Sequence, residues 1–142
     1  MTTDRSQGER LPAGFTATVA NIGIKDSTDD IVVIAAEGGC ASAGVFTRSR
    51  FAGPSVTVSR ENLRGSRSDA MVVISKNANV ANGPDGLADA REVLDLTGAL
   101  IGASPDRILL ASTGVIGRRY PMERVRAGIA GLEPPSATTG LD

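Results

Sequence analysis

Histidine is absent from the sequence, and cysteine occurs once, as Cys40. Without histidine the chain has neither the usual general base of a serine-type triad nor the most common protein metal ligand. A single cysteine can form neither an internal disulfide nor a cysteine-rich zinc site, which is typical of a reducing compartment. We interpret Cys40 as a small buried side chain rather than a nucleophile.

Tryptophan is also absent and aromatic residues make up 3% of the sequence, so platforms for stacking nucleic-acid bases are lacking. Fifteen basic and 16 acidic residues leave a net charge of -1, which gives no electrostatic reason to expect nucleic acid or an anionic membrane. No apolar run approaches the roughly 20 residues of a membrane span, and the polar N-terminus lacks a signal-peptide core. We therefore expect a cytoplasmic protein without nucleic-acid or membrane partners.

The chain has 142 residues, 41% of them hydrophobic, which is enough for one domain with a sizeable core. Residues 1–10 are polar and aperiodic and predict a disordered tail. Residues 134–142 are rich in turn-forming residues and predict a flexible C-terminal segment. The predicted domain therefore spans residues 11–133.

Hydrophobic patterning predicts about five strands early in the chain and two helices late. The predicted strands lie within 14–25, 30–37, 42–47, 54–61 and 69–76, followed by a helix at 86–101, a strand at 107–112 and a helix from Pro121. Successive strands without helices between them favour antiparallel pairing and an α+β fold. The helix between the strands at 69–76 and 107–112 favours one parallel pair.

Thr113 and Gly114 directly follow the strand predicted at 107–112. Glycine at a strand end permits unusual backbone torsions and the close approach of a ligand. The Thr113 hydroxyl beside a free backbone N–H would supply two convergent donors, as an oxyanion requires. Phosphate binding by backbone amides is an alternative, although neither common glycine-rich nucleotide motif is present. A strand-to-loop turn that needs glycine only for its geometry is the other alternative.

Two further segments carry polar side chains that suit a site. Asn77 and Asn79 follow the strand predicted at 69–76, where they would either hold irregular backbone through Asx turns or contact substrate. Arg48 and Arg50 would either pair with a carboxylate or lie on a solvated connection between strands. The residues alone do not separate these alternatives.

Three segments in fixed order carry a family resemblance, together with the opening LPAGFTATVANIGIK at 11–25. They are SAGVFTRSRFAGPSV (42–56), VVISKNANVANG (72–83) and LLASTGVIGRRYPMERV (109–125). In this order and spacing they resemble the N-terminal part of the ornithine acetyltransferase, or glutamate N-acetyltransferase, family of arginine biosynthesis. The resemblance covers residues 11–133, and the first segment is most similar to relatives from secondary-metabolite clusters.

The resemblance implies a layered αββα sandwich like that of the N-terminal nucleophile hydrolases, with this chain as its N-terminal, α-chain part. Members of the family cut themselves before a threonine, which becomes the N-terminus of a β chain. That threonine takes the acetyl group from N-acetylornithine and passes it to glutamate, with its own α-amine as the base. The family's Thr-Gly pair corresponds to Thr113 and Gly114, which implies that they form the oxyanion hole. No metal or organic cofactor is expected.

The sequence departs from the family because the segment that carries the threonine nucleophile has no counterpart in it. We therefore expect the chain to be inactive alone and to work with a β chain in an α2β2 or larger assembly. N-acetylornithine and glutamate would be the small-molecule substrates. The alternatives are a non-catalytic binding or scaffold remnant of the fold, and an amidase or aminopeptidase of related fold.

Overall fold

Within residues 11–136, four strands form one mixed sheet in the order β1-β2-β3-β4. They are β1 (Phe15–Ala20), β2 (Ile31–Ala41), β3 (Arg67–Ile74) and β4 (Ile108–Ser112). β2 runs antiparallel to both β1 and β3, whereas β4 runs parallel to β3. The computed structural model describes residues 11–136, so the tail predicted at 1–10 and most of the flexible segment predicted at 134–142 lie outside the described residues.

In the described part of the chain, three helices accompany the sheet: α1 (Pro54–Asn62), α2 (Gly83–Ile101) and α3 (Met122–Ala130). Short 3-10 turns at Leu63–Gly65 and Pro105–Arg107 precede β3 and β4. α2 joins the parallel strands β3 and β4, which confirms both the helix and the parallel pair predicted from sequence. No helix in the described part of the chain is long and apolar enough to cross a membrane.

The strand predicted at 54–61 is wrong, because these residues form α1. Pro54 stands in the first turn of the helix, where its fixed φ and missing N–H cost little. Ser55, Val58 and Ser59 are buried at helical spacing. The strand predicted at 42–47 is also wrong, because β2 ends at Ala41 and residues 42–47 form no regular element.

Side chains of α1 form hydrogen bonds with backbone groups at the outer edge of β4. Ser59 Oγ donates to the Leu110 carbonyl and accepts from the Leu110 N–H, each at 2.8 Å. Asn62 Nδ2 donates to the Ile108 carbonyl at 2.7 Å. Because an edge strand with unpaired backbone groups invites pairing with another chain, the helix takes the place of a fifth strand at this edge.

The two faces of the sheet differ in burial. Alternate residues of β2, β3 and β4 form a core with α1, α2 and α3, whose largest fully buried apolar side chains are Val33, Val58, Val72, Ile74, Val93, Ile108, Val125 and Ile129. The intervening residues of these strands, and Val19 of β1 opposite Val32, point to the other face and are half-buried or exposed: Val19, Val32, Ile34, Met71, Val73 and Leu109. The sheet therefore has one helix-covered face and one apolar face that the described residues leave partly open.

Candidate functional site

The ends of β3 and β4 meet because the two strands are parallel and adjacent. Beyond the strands, the Thr113 N–H donates to the Ile74 carbonyl at 3.1 Å, and the Val115 N–H donates to the Lys76 carbonyl at 3.2 Å. The Ala78 N–H in turn donates to the Val115 carbonyl at 2.9 Å. The two predicted site segments are thus joined by backbone hydrogen bonds for several residues past the sheet.

Gly114 adopts a backbone conformation that residues other than glycine rarely adopt, with φ of 128°. A Cβ at this position would lie 2.5 Å from the Lys76 carbonyl oxygen and 2.6 Å from the Asn77 backbone nitrogen. Real side chains do not tolerate such overlap with backbone, so the close approach of the two segments requires glycine here. The turn that the sequence predicts at this position is therefore tightly specified.

Two donors of this turn find no acceptor among the residues that the structure describes. The Thr113 N–H donates to the Ile74 carbonyl and is already engaged. Within residues 11–136, neither the Thr113 hydroxyl nor the Gly114 N–H has a hydrogen-bond partner. Both residues are exposed. The turn therefore presents a hydroxyl and a backbone N–H that are free to bind a ligand oxygen.

Asn77 and Asn79 are buried and their amides are engaged within the chain. Asn77 Nδ2 donates to the Arg119 carbonyl at 3.0 Å, and its Oδ1 accepts from the Asn79 N–H at 2.7 Å. Asn79 Nδ2 donates to the Gly86 carbonyl at 2.7 Å, and its Oδ1 accepts from Asn82 Nδ2 at 2.9 Å. Of the two predicted roles, these contacts fit support of the site backbone rather than contact with a ligand.

An ion pair that sequence reasoning missed fixes the end of the Thr113–Gly114 segment. Asp89 on α2 is 2% exposed, and both of its oxygens accept from Arg119, at 2.8 Å from Nε and 2.7 Å from Nη2. Asp85, one turn earlier on α2, lies 3.2 Å from Arg119 Nη1. The hydrogen bond to Asp89 is the main cause that raises the pKa of Arg119.

The loop between β1 and β2 packs against the same end of the sheet. Lys76 Nζ lies 2.6 Å from Asp26 Oδ1 and 2.7 Å from Thr28 Oγ1. The hydrogen bond from Lys76 lowers the pKa of Asp26 well below its usual value. The buried Asp30 carboxylate accepts from the backbone N–H groups of Ile22 and Ile24, each at 2.7 Å. The ammonium of Lys76 is therefore committed to the loop.

Tyr120 packs in the interior beside the segment that carries Thr113 and Gly114. Its ring is buried, and its hydroxyl is hydrogen-bonded to the Ser112 hydroxyl, directly before Thr113. Burial is the main cause that raises the pKa of Tyr120 to about 12. The buried phenol therefore keeps its proton to a higher pH than an exposed tyrosine does, and it serves as a fixed hydrogen-bonding group.

A cavity of about 210 Å³ adjoins this segment, and its charged lining residues are all cations: Lys25, Lys76, Arg118 and Arg119. Lys76 and Arg119 are paired with carboxylates outside the lining. Lys25 and Arg118 have no carboxylate partner among residues 11–136, so these two cations favour anionic ligands in the cavity beside the turn. Among the described residues, no group of three acidic, histidine or cysteine side chains is arranged to hold a metal ion.

Comparison with known proteins agrees with the fold. The model of the ArgJ family matches residues 16–139. The arginine biosynthesis bifunctional protein ArgJ 2 of Nostoc sp. is 50% identical over 121 residues, which are 85% of this chain and 31% of the relative. The glutamate N-acetyltransferase Oat2 of Streptomyces clavuligerus is 42% identical over 134 residues, which are 94% of this chain and 34% of the relative. The chain thus spans about a third of the length of these curated relatives.

Two solved structures share the fold. The arginine biosynthesis bifunctional protein ArgJ of Bacillus halodurans superposes with a TM-score of 0.84 at 31% identity, covering 89% of this chain and 66% of that one. Ornithine acetyltransferase from Mycobacterium tuberculosis, complexed with ornithine, gives a TM-score of 0.82 at 33% identity, covering 90% of this chain and 70% of that one. The α+β sandwich related to the N-terminal nucleophile hydrolases, as expected from sequence, is confirmed.

Proposed function

Since the chain belongs to the ArgJ family, we propose that it is the α-chain portion of an enzyme that transfers an acetyl group from N-acetylornithine to glutamate. A relative that is 42% identical carries the name glutamate N-acetyltransferase, and a structural neighbour is complexed with ornithine. Both names point to acetyl transfer between these two amino acids.

The observation that carries the proposal is the pair of donors at Thr113 and Gly114 that have no partner within the described range 11–136. Acyl transfer develops negative charge on the carbonyl oxygen as the tetrahedral intermediate forms. Donors already oriented before the reaction stabilise that charge without having to reorganise. In this proposal the Thr113 hydroxyl and the Gly114 N–H are the two donors of the oxyanion hole, while Asn77 and Asn79 support the backbone beneath them.

The nucleophile in this mechanism is the N-terminal threonine of a separate β chain. Its hydroxyl oxygen attacks the acetyl carbonyl carbon of N-acetylornithine, and its α-amine removes the hydroxyl proton. Collapse of the intermediate breaks the C–N bond and releases ornithine, whose amine takes up that proton. The amine of glutamate then attacks the acetyl-threonine through a second oxyanion, which yields N-acetylglutamate and restores the hydroxyl.

The open apolar face of the sheet is the reason to include a partner chain in the proposal. Its apolar side chains, among them Ile34 and Met71, are too numerous to be left against water without cost. Val115 and Ile116, next to the proposed oxyanion hole, are exposed as well. We assign this surface to the β chain, in an α2β2 or larger assembly, so that the threonine is brought to Thr113 and Gly114.

The test uses the whole enzyme and follows acetyl transfer from N-acetylornithine to glutamate. Removing one oxyanion donor typically costs about 100–1,000-fold in kcat, so Thr113→Ala should lose that much. Thr57→Ala is the matched control, because Thr57 is a half-buried threonine on α1 and should keep the wild-type rate. Unchanged transfer by Thr113→Ala contradicts the assignment, and acetyl release to water in preference to glutamate indicates a hydrolase.

A further inference from the structure

The segment that carries Thr113 and Gly114 is tied to α2 at two separate places. One is the two-pronged ion pair of Arg119 with Asp89. The other runs from the Arg119 carbonyl through Asn77 and Asn79 to the Gly86 carbonyl in the first turns of α2. Both ties meet at Arg119, one through its guanidinium and one through its backbone.

The Asn77 link reaches the proposed oxyanion hole directly. The Asn77 backbone nitrogen is one of the atoms against which Gly114 packs without room for a Cβ. The amide of Asn77 is held at both ends, because Oδ1 accepts from Asn79 and Nδ2 donates to Arg119. A shift of the Arg119 backbone is therefore passed to the backbone against which Gly114 packs.

Asp89 is the member of this network whose charge is fully withdrawn from water. A buried carboxylate is stable only when it is paired and hydrogen-bonded, and the fork of arginine fixes direction as well as distance. Asp85 contacts the same guanidinium at 3.2 Å, but its side chain is exposed, so it holds Arg119 less firmly. Asp85 and Asp89 therefore contact the same arginine from one helix face but differ in burial, so that a variant of Asp85 is the control for a variant of Asp89.

We propose that Asp89 is a positioning residue for acetyl transfer, which sets the placement of the Thr113 and Gly114 donors through Arg119 and Asn77. The inference rests on the proposed function. A misplacement of about 1 Å in a catalytic arrangement can cost about 100-fold in rate, although the misplaced group still binds substrate. The loss of Asp89 therefore lowers kcat much more than it changes KM.

The first measurement compares Asp89→Asn with Asp85→Asn in the whole enzyme. Replacing the Asp89 carboxylate by an amide keeps the volume but removes the charge, so Asp89→Asn should lower kcat about 10–100-fold with KM within about threefold. Asp85→Asn should keep kcat within about twofold. Arg119→Lys keeps the positive charge without the fork and should fall between the two variants; it decides the question if Asp89→Asn does not fold.

Hydrogen exchange of the backbone amides supplies a readout that does not depend on activity. The Val115 and Gly117 amides are hydrogen-bonded to Lys76 and Val80. They should exchange faster in Asp89→Asn than in Asp85→Asn, while the amides of β3 stay protected. If wild type transfers no acetyl group, the proposed function fails, and the exchange data still decide whether Asp89 positions the segment. Equal kcat and equal exchange in the two aspartate variants overturn the inference.

Discussion

The contact between Ser59 and the edge of β4 yields a prediction that can be worked from the structure. Ser59 is 5% exposed, and its hydroxyl bonds both the N–H and the carbonyl of Leu110, which is itself 3% exposed. In Ser59→Ala both backbone groups lose their partner in a place that water reaches poorly. The perturbation therefore tests whether α1 stabilises the sheet edge through this one side chain.

The magnitude follows from two buried polar groups left unpaired. Each costs about 1–3 kcal/mol, and the better helix propensity of alanine returns about 0.5 kcal/mol. The expected loss in the free energy of unfolding is therefore about 2–5 kcal/mol. Ser55→Ala is the matched control, since Ser55 is a buried serine on the same helix with no side-chain hydrogen bond in the described part of the chain. It should change stability by less than about 1 kcal/mol, since it leaves no backbone group unpaired.

Equilibrium unfolding of the chain in urea is the assay, with secondary structure followed by circular dichroism. The denaturation midpoint should fall for Ser59→Ala at an unchanged slope, because a change in midpoint alone reports a change in stability. If Ser59→Ala and Ser55→Ala unfold at the same midpoint, the edge of β4 does not depend on Ser59, and the reason given for the helical state of α1 is wrong.

Two further predictions concern Tyr120 and Gly128. Burial raises the pKa of Tyr120 to about 12, so the folded chain keeps a proton that the unfolded chain loses above a pH of about 10. Stability is thus lost as pH rises from about 10 to about 12, and tyrosinate absorbance should titrate near 12 when folded but near 10 in denaturant. Titration near 10 in both states refutes this. A Cβ on Gly128 would overlap the side chain of Ile22, so Gly128→Ala should destabilise by about 1–3 kcal/mol in urea unfolding despite its helix propensity. Gly65→Ala, with open space, should not, and equal effects would contradict the packing of α3 on Ile22.

The parts of the fold that could be predicted from sequence are those whose patterns are local. The apolar runs of β2, β3 and β4 and the helical spacing of α2 fall within short windows, and each forms the predicted element. α1 does not, because PSVTVSRE alternates like a strand. Its helical state depends on Leu110, which lies 51 residues from Ser59 in the chain. No local pattern contains that partner.

The candidate site also has parts that follow from local sequence patterns and parts that depend on residues distant in the chain. A glycine after a buried strand, with a threonine before it, is a local signal, and the family resemblance adds a role for both. The pairing of Asp89 with Arg119 joins residues 30 positions apart, and no local pattern distinguishes this arginine from one on a solvated face. On the other side of the pair, the spacing of Asp85 and Asp89 at i, i+4 places two carboxylates on one face of α2. That spacing is a local signal that a cation binds there, although it does not say which one.

The most direct test of the central claim is a single-turnover measurement of acetyl transfer to the whole enzyme from N-acetylornithine. Release of ornithine in this step reports formation and collapse of the first tetrahedral intermediate. If Thr113 is an oxyanion donor, Thr113→Ala slows this release by about 100–1,000-fold at saturating substrate while substrate still binds. Release at the wild-type rate would show that the Thr113 hydroxyl does not stabilise the oxyanion, and the account of the site would be wrong.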